Sequence, residues 1–216
     1  MDRESLQVAT WRALFHGCVR ESIAAAYCVA RIGTQETRAW ERPLSYVADD
    51  NQGNVGVVEF TEDGAVAAVS ARAPRRSFDL ERSILSAPSE RQRSLRRLCD
   101  LPVLDEGSGV SAIFWTVGDA IKLPEAWEAA YRSGLDLFRR ELLSDADWSK
   151  EGAEYYGMNV ETIQLPIDIA RRTKVRVPLV ELAEAEVQLL IPEGSEYAGE
   201  ARDLLFQDGL FSTPHA

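Results

Sequence analysis

The sequence predicts an α+β fold that is rich in helix and carries a small antiparallel sheet. Two β-prone runs, within residues 55–71, flank the turn Asp63-Gly64. Asp-Gly between apolar runs is typical of a hairpin, because glycine adopts the positive φ that the turn requires. Residues 110–117 are short, apolar and β-branched, which predicts a buried strand, and residues 120–123 are predicted to return as its partner strand. Apolar spacing of three and four residues in longer segments predicts helices.

The first segment, residues 4–31, is predicted to be helical. Its apolar residues fall on one stripe: Trp11, Leu14, Phe15, Cys18, Ala25, Cys28 and Ile32. Gly33 is a plausible end of this helix. Gly17 lies inside the pattern, where glycine is expected to weaken a helix by about 1 kcal/mol relative to alanine. Residues 34–54 are polar and are predicted to be mostly loop.

Later helices are predicted from capping patterns, proline positions and apolar stripes. They cover Ser89 to a stop at Pro102, 124–143, 144–157, 160–172 with a bend at Pro166, and about 197–207. Residues 179–191 suit either a helix or a strand. We predict one α+β domain over residues 1–216; the alternative is a helix-plus-hairpin unit at 1–71 followed by a mainly helical unit at 72–216.

Charge is unevenly distributed along the chain. The 216 residues hold 24 Lys and Arg against 35 Asp and Glu, a net charge of −11. Residues 72–97 hold eight arginines against three acids, whereas residues 141–161 and 177–216 carry net charges of −5 and −7. The acidic total argues against a nucleic-acid partner, which needs cations to displace counterions from phosphates.

Catalytic motifs are absent from the sequence. It has no phosphate-binding glycine loop, no dinucleotide fingerprint and no nucleophile elbow. His16 and Cys18 are two residues apart and so face away from each other on a helix. Two histidines and three scattered cysteines do not provide zinc-ligand spacing. We therefore predict no catalytic residue, no metal ligand and no cofactor, and we attribute the pair Asp145 and Asp147 to capping of a helix.

The surface patterns predict protein binding instead. Aromatic residues among acids suit a basic protein partner, because aromatics anchor and charge steers the encounter. The predicted partner-binding residues are Asp145, Asp147, Trp148, Glu151, Glu154, Tyr155 and Tyr156. The arginine block predicts an anion-binding set of Arg75, Arg76, Arg93, Arg96 and Arg97, unless the block pairs with acids of the same chain.

These observations favour a cytoplasmic protein-binding module, such as an inhibitor or immunity-type partner of a basic toxin or nuclease. The acidic start of the chain lacks the pattern of a signal peptide, and three cysteines without C-x-x-C spacing suit reduced thiols. Two alternatives remain. One is a carboxylate-based or metal-assisted hydrolase, and the other is a regulatory or structural subunit that forms a homo-oligomer by pairing strand 110–117 or the hairpin across a dimer.

Overall fold

A six-stranded antiparallel sheet forms the centre of the fold. The computed structural model describes residues 10–33, 37–42, 44–72, 78–105, 109–175, 180–206 and 211–212. The strands pair in chain order: β1 (Thr37–Arg42), β2 (Ser45–Asp49), β3 (Val55–Thr61), β4 (Gly64–Ser70), β5 (Val110–Val117) and β6 (Ala120–Lys122). A two-stranded parallel pair, β7 (Val180–Glu181) and β8 (Phe211–Ser212), lies apart from it. The predicted α+β class is confirmed.

The predicted hairpin is β3 and β4, joined by a tight turn in which Thr61 pairs with Gly64. Strand β5 pairs with β4 and with β6, so the predicted partner strand is also confirmed. Neither the hairpin nor β5 lies at a sheet edge. The hairpin strands are paired on both sides, whereas β6 pairs only with Trp115–Val117 of β5, so self-association through the first half of β5 stays a prediction.

The prediction that residues 34–54 are mostly loop is wrong, because this segment supplies β1 and β2. The error has a physical cause. The sheet is covered on both faces, so Tyr46 and Ala48 of β2 enter one core while Val47 enters the other. A strand that is buried on both sides does not alternate between apolar and polar residues. The six-stranded sheet is therefore larger than the predicted one, which consisted of the hairpin, strand 110–117 and its returning partner, and it joins strands from both sides of residue 71.

Helices surround the sheet on both faces. They are α1 (Trp11–Ile32), α2 (Leu80–Leu85), α3 (Ser89–Cys99), α4 (Pro102–Asp105), α5 (Trp127–Arg132), a 3₁₀ helix (Leu135–Phe138), α6 (Asp145–Tyr156), α7 (Val160–Arg172), α8 (Glu184–Leu190) and α9 (Ala198–Phe206). The single helix predicted for 124–143 is wrong beyond Arg132. Gly134 adopts a φ of 110° there, which ends α5 and starts the 3₁₀ helix.

Two apolar cores lie on opposite faces of the sheet. Helices α2, α3 and α4 cover one core, where Leu95 packs with Ile113. Helix α1 covers the other, where the Phe15 and Phe60 rings meet edge to face at 5.2 Å. Helices α6, α7, α8 and α9 contact α1 in turn, so most of its middle is buried. In the described part of the chain, no helix is both long enough and apolar enough to cross a membrane.

Candidate functional site

Helix α6 contains all seven predicted partner-binding residues, and two of them are core residues. Trp148 is 0% exposed and Tyr156 is 4% exposed. They present no surface to a partner, contrary to the prediction, because both side chains donate hydrogen bonds inward to the Glu21 carboxylate of α1. The start of α6 agrees with the predicted capping, since the Ser144 hydroxyl accepts a hydrogen bond from the Asp147 amide at 3.2 Å.

The other acidic positions of this segment are only partly available to a partner. Asp147, Glu154 and Tyr155 are exposed. The Asp145 carboxylate bridges two arginines of the chain, Arg20 at 2.8 Å and Arg171 at 2.7 Å. Glu151 likewise accepts a hydrogen bond from Arg139 at 2.6 Å. Much of the negative charge between residues 141 and 161 is therefore neutralised within the molecule.

These pairs belong to a group of six charged residues between α1, β1 and α6, which we call the buried ionic cluster. Its members are Arg20, Glu21, Arg38, Arg140, Glu141 and Asp145. Both glutamates are 0% exposed. A buried carboxylate requires charged or hydrogen-bonding partners, because its transfer from water costs several kcal/mol.

Glu21 is the most completely surrounded member of the cluster. One carboxylate oxygen accepts from the Trp148 indole N–H, and the other accepts from the Tyr156 hydroxyl at 2.6 Å. The Arg140 Nε lies 3.1 Å from the same second oxygen. Glu21, a residue of α1, thus binds two neutral donors of α6 and the charged Arg140 in the segment that precedes α6.

Glu141 forms the second centre of the cluster. Its Oε1 accepts a hydrogen bond from the Tyr46 hydroxyl at 2.8 Å and lies 3.5 Å from the Arg38 Nε. Its Oε2 is buried and has no hydrogen-bond partner among the described residues. Burial raises the pKa of Glu141, and the Arg38 charge opposes that increase. Cys18 is buried as well, and its own burial raises the pKa of its thiol far above the usual value.

Arg20 completes the cluster from the middle of α1. One terminal nitrogen donates to Asp145 Oδ1 at 2.8 Å, and the other donates to the carbonyl oxygens of Arg140 and Leu143 at 3.2 and 3.1 Å. Its guanidinium also lies 4.8 Å from the centre of the Trp148 ring. The cluster holds three cations against three carboxylates, which is the arrangement of a structural network rather than of an open reaction centre.

The structure describes three of the five predicted anion-binding arginines, and two of these three are paired with acidic residues. Arg75 and Arg76 fall outside the described residues. Arg96 contacts Glu81 at 2.6 Å, and Arg97 contacts Glu59 of β3 at 2.5 Å. Arg93 is exposed on α3. Two of the described arginines of the block, Arg96 and Arg97, therefore pair with nearby acids, and no ion pair joins the described part of the block to the acidic C-terminal stretch.

That C-terminal stretch keeps its charge exposed. Six carboxylates lie on β7, α8, α9 and the turn between these helices, and we call them the C-terminal acidic surface: Glu181, Glu184, Glu193, Glu196, Glu200 and Asp203. Within the described ranges none of the six forms an ion pair. Glu186, by contrast, contacts Arg172 at 2.5 Å. One exposed cation, Arg202, lies on α9 with Glu200 and Asp203, so this surface carries a net negative charge and is not purely acidic.

The candidate groups for metal binding and catalysis lie in separate parts of the fold. Where residues are described, no three His, Cys, Asp or Glu side chains are grouped so that they could hold a metal ion. The acids of the β2–β3 turn are engaged locally: Asp49 accepts from the Asn51 amide at 2.7 Å and Asp50 from the Gln52 amide at 2.8 Å. Cys18 is buried in the core, as the helical pattern predicts.

His16 provides a prediction about pH. Burial lowers its pKa from the usual 6.5, with Asp145 opposing the shift. The unfolded chain therefore binds this proton more tightly than the folded chain. The stability that neutral His16 contributes is fully present above about pH 6.5, its unfolded pKa, and is lost below that value as the pH falls through the lowered pKa of the folded chain. Urea unfolding at about pH 7.5 and about pH 5.5 is expected to show a smaller loss for His16→Gln than for the unmodified chain. Equal losses would contradict this assignment.

Except for Asp145, the cluster residues were missed in the sequence, although a signal was present. Arg20 and Glu21 stand between Val19 and Ile23 in a segment that is apolar on nearly every side. A charged pair inside such a segment indicates buried charge rather than a solvated face.

Comparisons with protein-family models, with curated proteins and with solved structures each found no match.

Proposed function

We propose that this protein is a cytoplasmic protein-binding module that binds a basic partner, in the manner of an inhibitor or immunity protein that neutralises a toxin or nuclease. One observation carries the proposal: the C-terminal acidic surface is exposed and its carboxylates are not neutralised by the described residues. Unpaired carboxylates on one side of a protein attract cationic partners and increase the rate of association. The described cysteines form no disulfide with one another, which suits a reducing compartment.

The surface is supported by rigid structure. Helices α8 and α9 both pack against α1, the long central helix. At the end of α1, Arg31 donates hydrogen bonds to the carbonyl oxygens of Leu189 and Leu190 at 3.3 and 3.0 Å, which joins α1 to the end of α8. The Ser195 hydroxyl donates to the Ala30 carbonyl from the following turn. The carboxylates of this region are thus presented on packed elements and not on a free tail.

Two exposed aliphatic side chains give this surface an apolar contact point. Ile32 is 64% exposed and Leu189 is 52% exposed, and they belong to the two helix ends that Arg31 connects. Interfaces gain most of their affinity from a few apolar anchors, while surrounding charges mainly set specificity and rate. We therefore place the partner over the ends of α1 and α8, with Glu193 and Glu196 at its rim.

The test has two stages. At low salt, the chain used as bait in an extract of its native host is expected to retain a basic protein. Affinity for that purified partner is then measured for the triple variant E193K/E196K/E200K and for a control triple variant, E62K/D63K/E90K. Both sets of residues are exposed and both substitutions change the net charge equally. We expect the first variant to lose about tenfold or more in affinity at low salt, and the control to lose much less.

Two outcomes would contradict the proposal. If no basic protein is retained at low salt, the chain does not act by binding one. If both triple variants weaken binding equally, the effect is that of net charge and the C-terminal acidic surface is not the interface.

A further inference from the structure

The two buried glutamates of the buried ionic cluster differ in how their oxygens are used. Both oxygens of Glu21 accept hydrogen bonds from buried side chains of α6. In Glu141, Oε1 accepts from the Tyr46 hydroxyl at 2.8 Å, whereas Oε2 has no hydrogen-bond partner among the described residues. Glu141 is nevertheless 0% exposed. When it is ionised, Oε2 therefore lacks the donors that would offset its loss of water.

The arginines of the cluster compensate the charge of Glu141 less well than that of its neighbours. Two of them lie against other carboxylates, in the pairs Arg140–Glu21 at 3.1 Å and Arg20–Asp145 at 2.8 Å. Arg38 faces Glu141, but its Nε is 3.5 Å from Oε1, and charge-assisted hydrogen bonds are about 2.7–2.9 Å long. The surroundings of Glu141 thus favour a neutral carboxyl group more than those of Glu21 do.

The groups that face Glu141 come from three packed elements and from its own segment. They are Cys18, Arg20 and Glu21 of α1, Arg38 of β1, Tyr46 of β2, and the adjacent Arg140. Burial raises the pKa of Glu141 from its usual 4.5, and the charge of Glu21 adds to the increase, while the charge of Arg38 opposes it without cancelling it. Burial also raises the pKa values of Cys18 and Tyr46, so both remain neutral at neutral pH. The folded chain therefore holds the proton of Glu141 more tightly than water-exposed glutamate does.

The segment that carries Glu141 is short and lies beside a cavity of about 220 Å³. Residues 139–144 join the 3₁₀ helix to α6, and Arg139 and Arg140 line the cavity together with Arg38 and the exposed Asp136. A small outward movement of this segment would bring the carboxyl group of Glu141 into contact with water. Short irregular segments open locally at a lower cost than long helices or central strands do.

We propose that Glu141 is a proton-controlled latch that holds residues 139–144 against β1 and β2, closed while its carboxyl group carries a proton and loosened when that proton passes to water. In the opened form water solvates both oxygens, so this form binds the proton less tightly than the closed form. By linkage, the stability that the proton gives to the closed form is fully present below the usual pKa of 4.5 and is lost as the pH rises through the higher pKa of the closed form. The latch shares no residue with the C-terminal acidic surface, so it does not depend on the proposed function.

Hydrogen exchange of the full chain tests the latch, measured by mass spectrometry at about pH 4.5 and about pH 8 and corrected for the intrinsic effect of pH on exchange. The amides of Leu142 and Leu143 form hydrogen bonds within this region, so their protection reports its opening. Glu141→Gln keeps the shape of the side chain and has no such proton to lose. Relative to this variant, we expect protection in the unmodified chain to fall about fivefold between the two pH values.

Glu151→Gln is the matched control, because Glu151 contacts Arg139 of the same segment at 2.6 Å but is partly exposed. It is expected to keep the pH dependence of the unmodified chain. His16 also titrates in this range, in the opposite direction, and its effect cancels because all three chains contain it.

Carbon-13 NMR of the labelled unmodified chain is an independent measurement that needs no variant. We expect the carboxyl carbon of Glu141 to titrate at a higher pH than glutamate in an unfolded peptide, whose pKa is about 4.3. Titration at or below that value would overturn the proposal. So would an equal loss of protection in the unmodified chain and Glu141→Gln, or a loss of the pH dependence in Glu151→Gln, which would show a response to charge in general.

Discussion

Replacing Glu21 by alanine is expected to lower the free energy of unfolding by about 3–5 kcal/mol, measured by urea unfolding with tryptophan fluorescence. The Trp148 and Tyr156 donors, both buried, would lose the acceptor they now use. Arg140 would lose the carboxylate that lies 3.1 Å from its Nε. Removal of one member of a buried charged group is costly because the desolvated remainder stays in the core.

Two further variants test whether the loss of stability comes from the buried position and the acceptor oxygens of Glu21. Glu21→Gln keeps a side chain of the same size with an acceptor oxygen, so we expect it to destabilise the fold less than alanine does. Glu193→Ala removes an exposed carboxylate from a turn and is expected to change stability by less than about 0.5 kcal/mol. If Glu21→Ala were as mild as Glu193→Ala, the buried ionic cluster would not hold α1 to α6.

The parts of the fold that were predicted correctly are those in which local chemistry decides the structure. The β3–β4 hairpin follows from Asp63-Gly64 between apolar runs, and α6 begins where Ser144 caps it. Such signals depend on neighbours in the sequence, and tertiary contacts do not override them here. The strand at 110–117 was also correct, since its apolar run is too short for a buried helix.

The errors arise where distant segments decide the structure. Strand β1 contains Arg38, whose charge suggests a loop in the sequence but which is buried beside Glu141 of a segment about a hundred residues later. Polar residues take part in a core when a partner arrives from elsewhere in the chain, and no local pattern reports that partner. The three strands β1, β2 and β6 therefore complete a sheet of which only the centre had a strong local signal.

The same reasoning explains what happened to the candidate sites. Charge counts along the chain were correct, but they do not show which charges folding pairs. Asp145 and Glu151 turn inward to arginines, whereas Glu193 and Glu200 remain exposed. Only the fold distinguishes a paired charge from a surface charge.

Gly17→Ala is expected to destabilise the protein by about 3 kcal/mol or more, although alanine is the better helix former by about 1 kcal/mol. Helix propensity alone would predict that this substitution stabilises the protein. A Cβ at position 17 would lie 1.8 Å from the carbonyl oxygen of Glu141 and 2.5 Å from its carbonyl carbon. These are backbone atoms, so the segment before α6 would have to move away from α1. That movement would also disturb the contacts of Glu141 with Tyr46 and Arg38.

Gly199→Ala is the matched control, because Gly199 lies in helix α9 and nothing stands within 4 Å of its Cβ position. There the helix propensity acts alone, and we expect stabilisation of up to about 1 kcal/mol. Urea unfolding of the two variants therefore separates propensity from close packing, with opposite signs expected. If Gly17→Ala were also stabilising, the close approach of Glu141 to α1 would be wrong. The buried ionic cluster, which depends on that approach, would then have to be arranged differently.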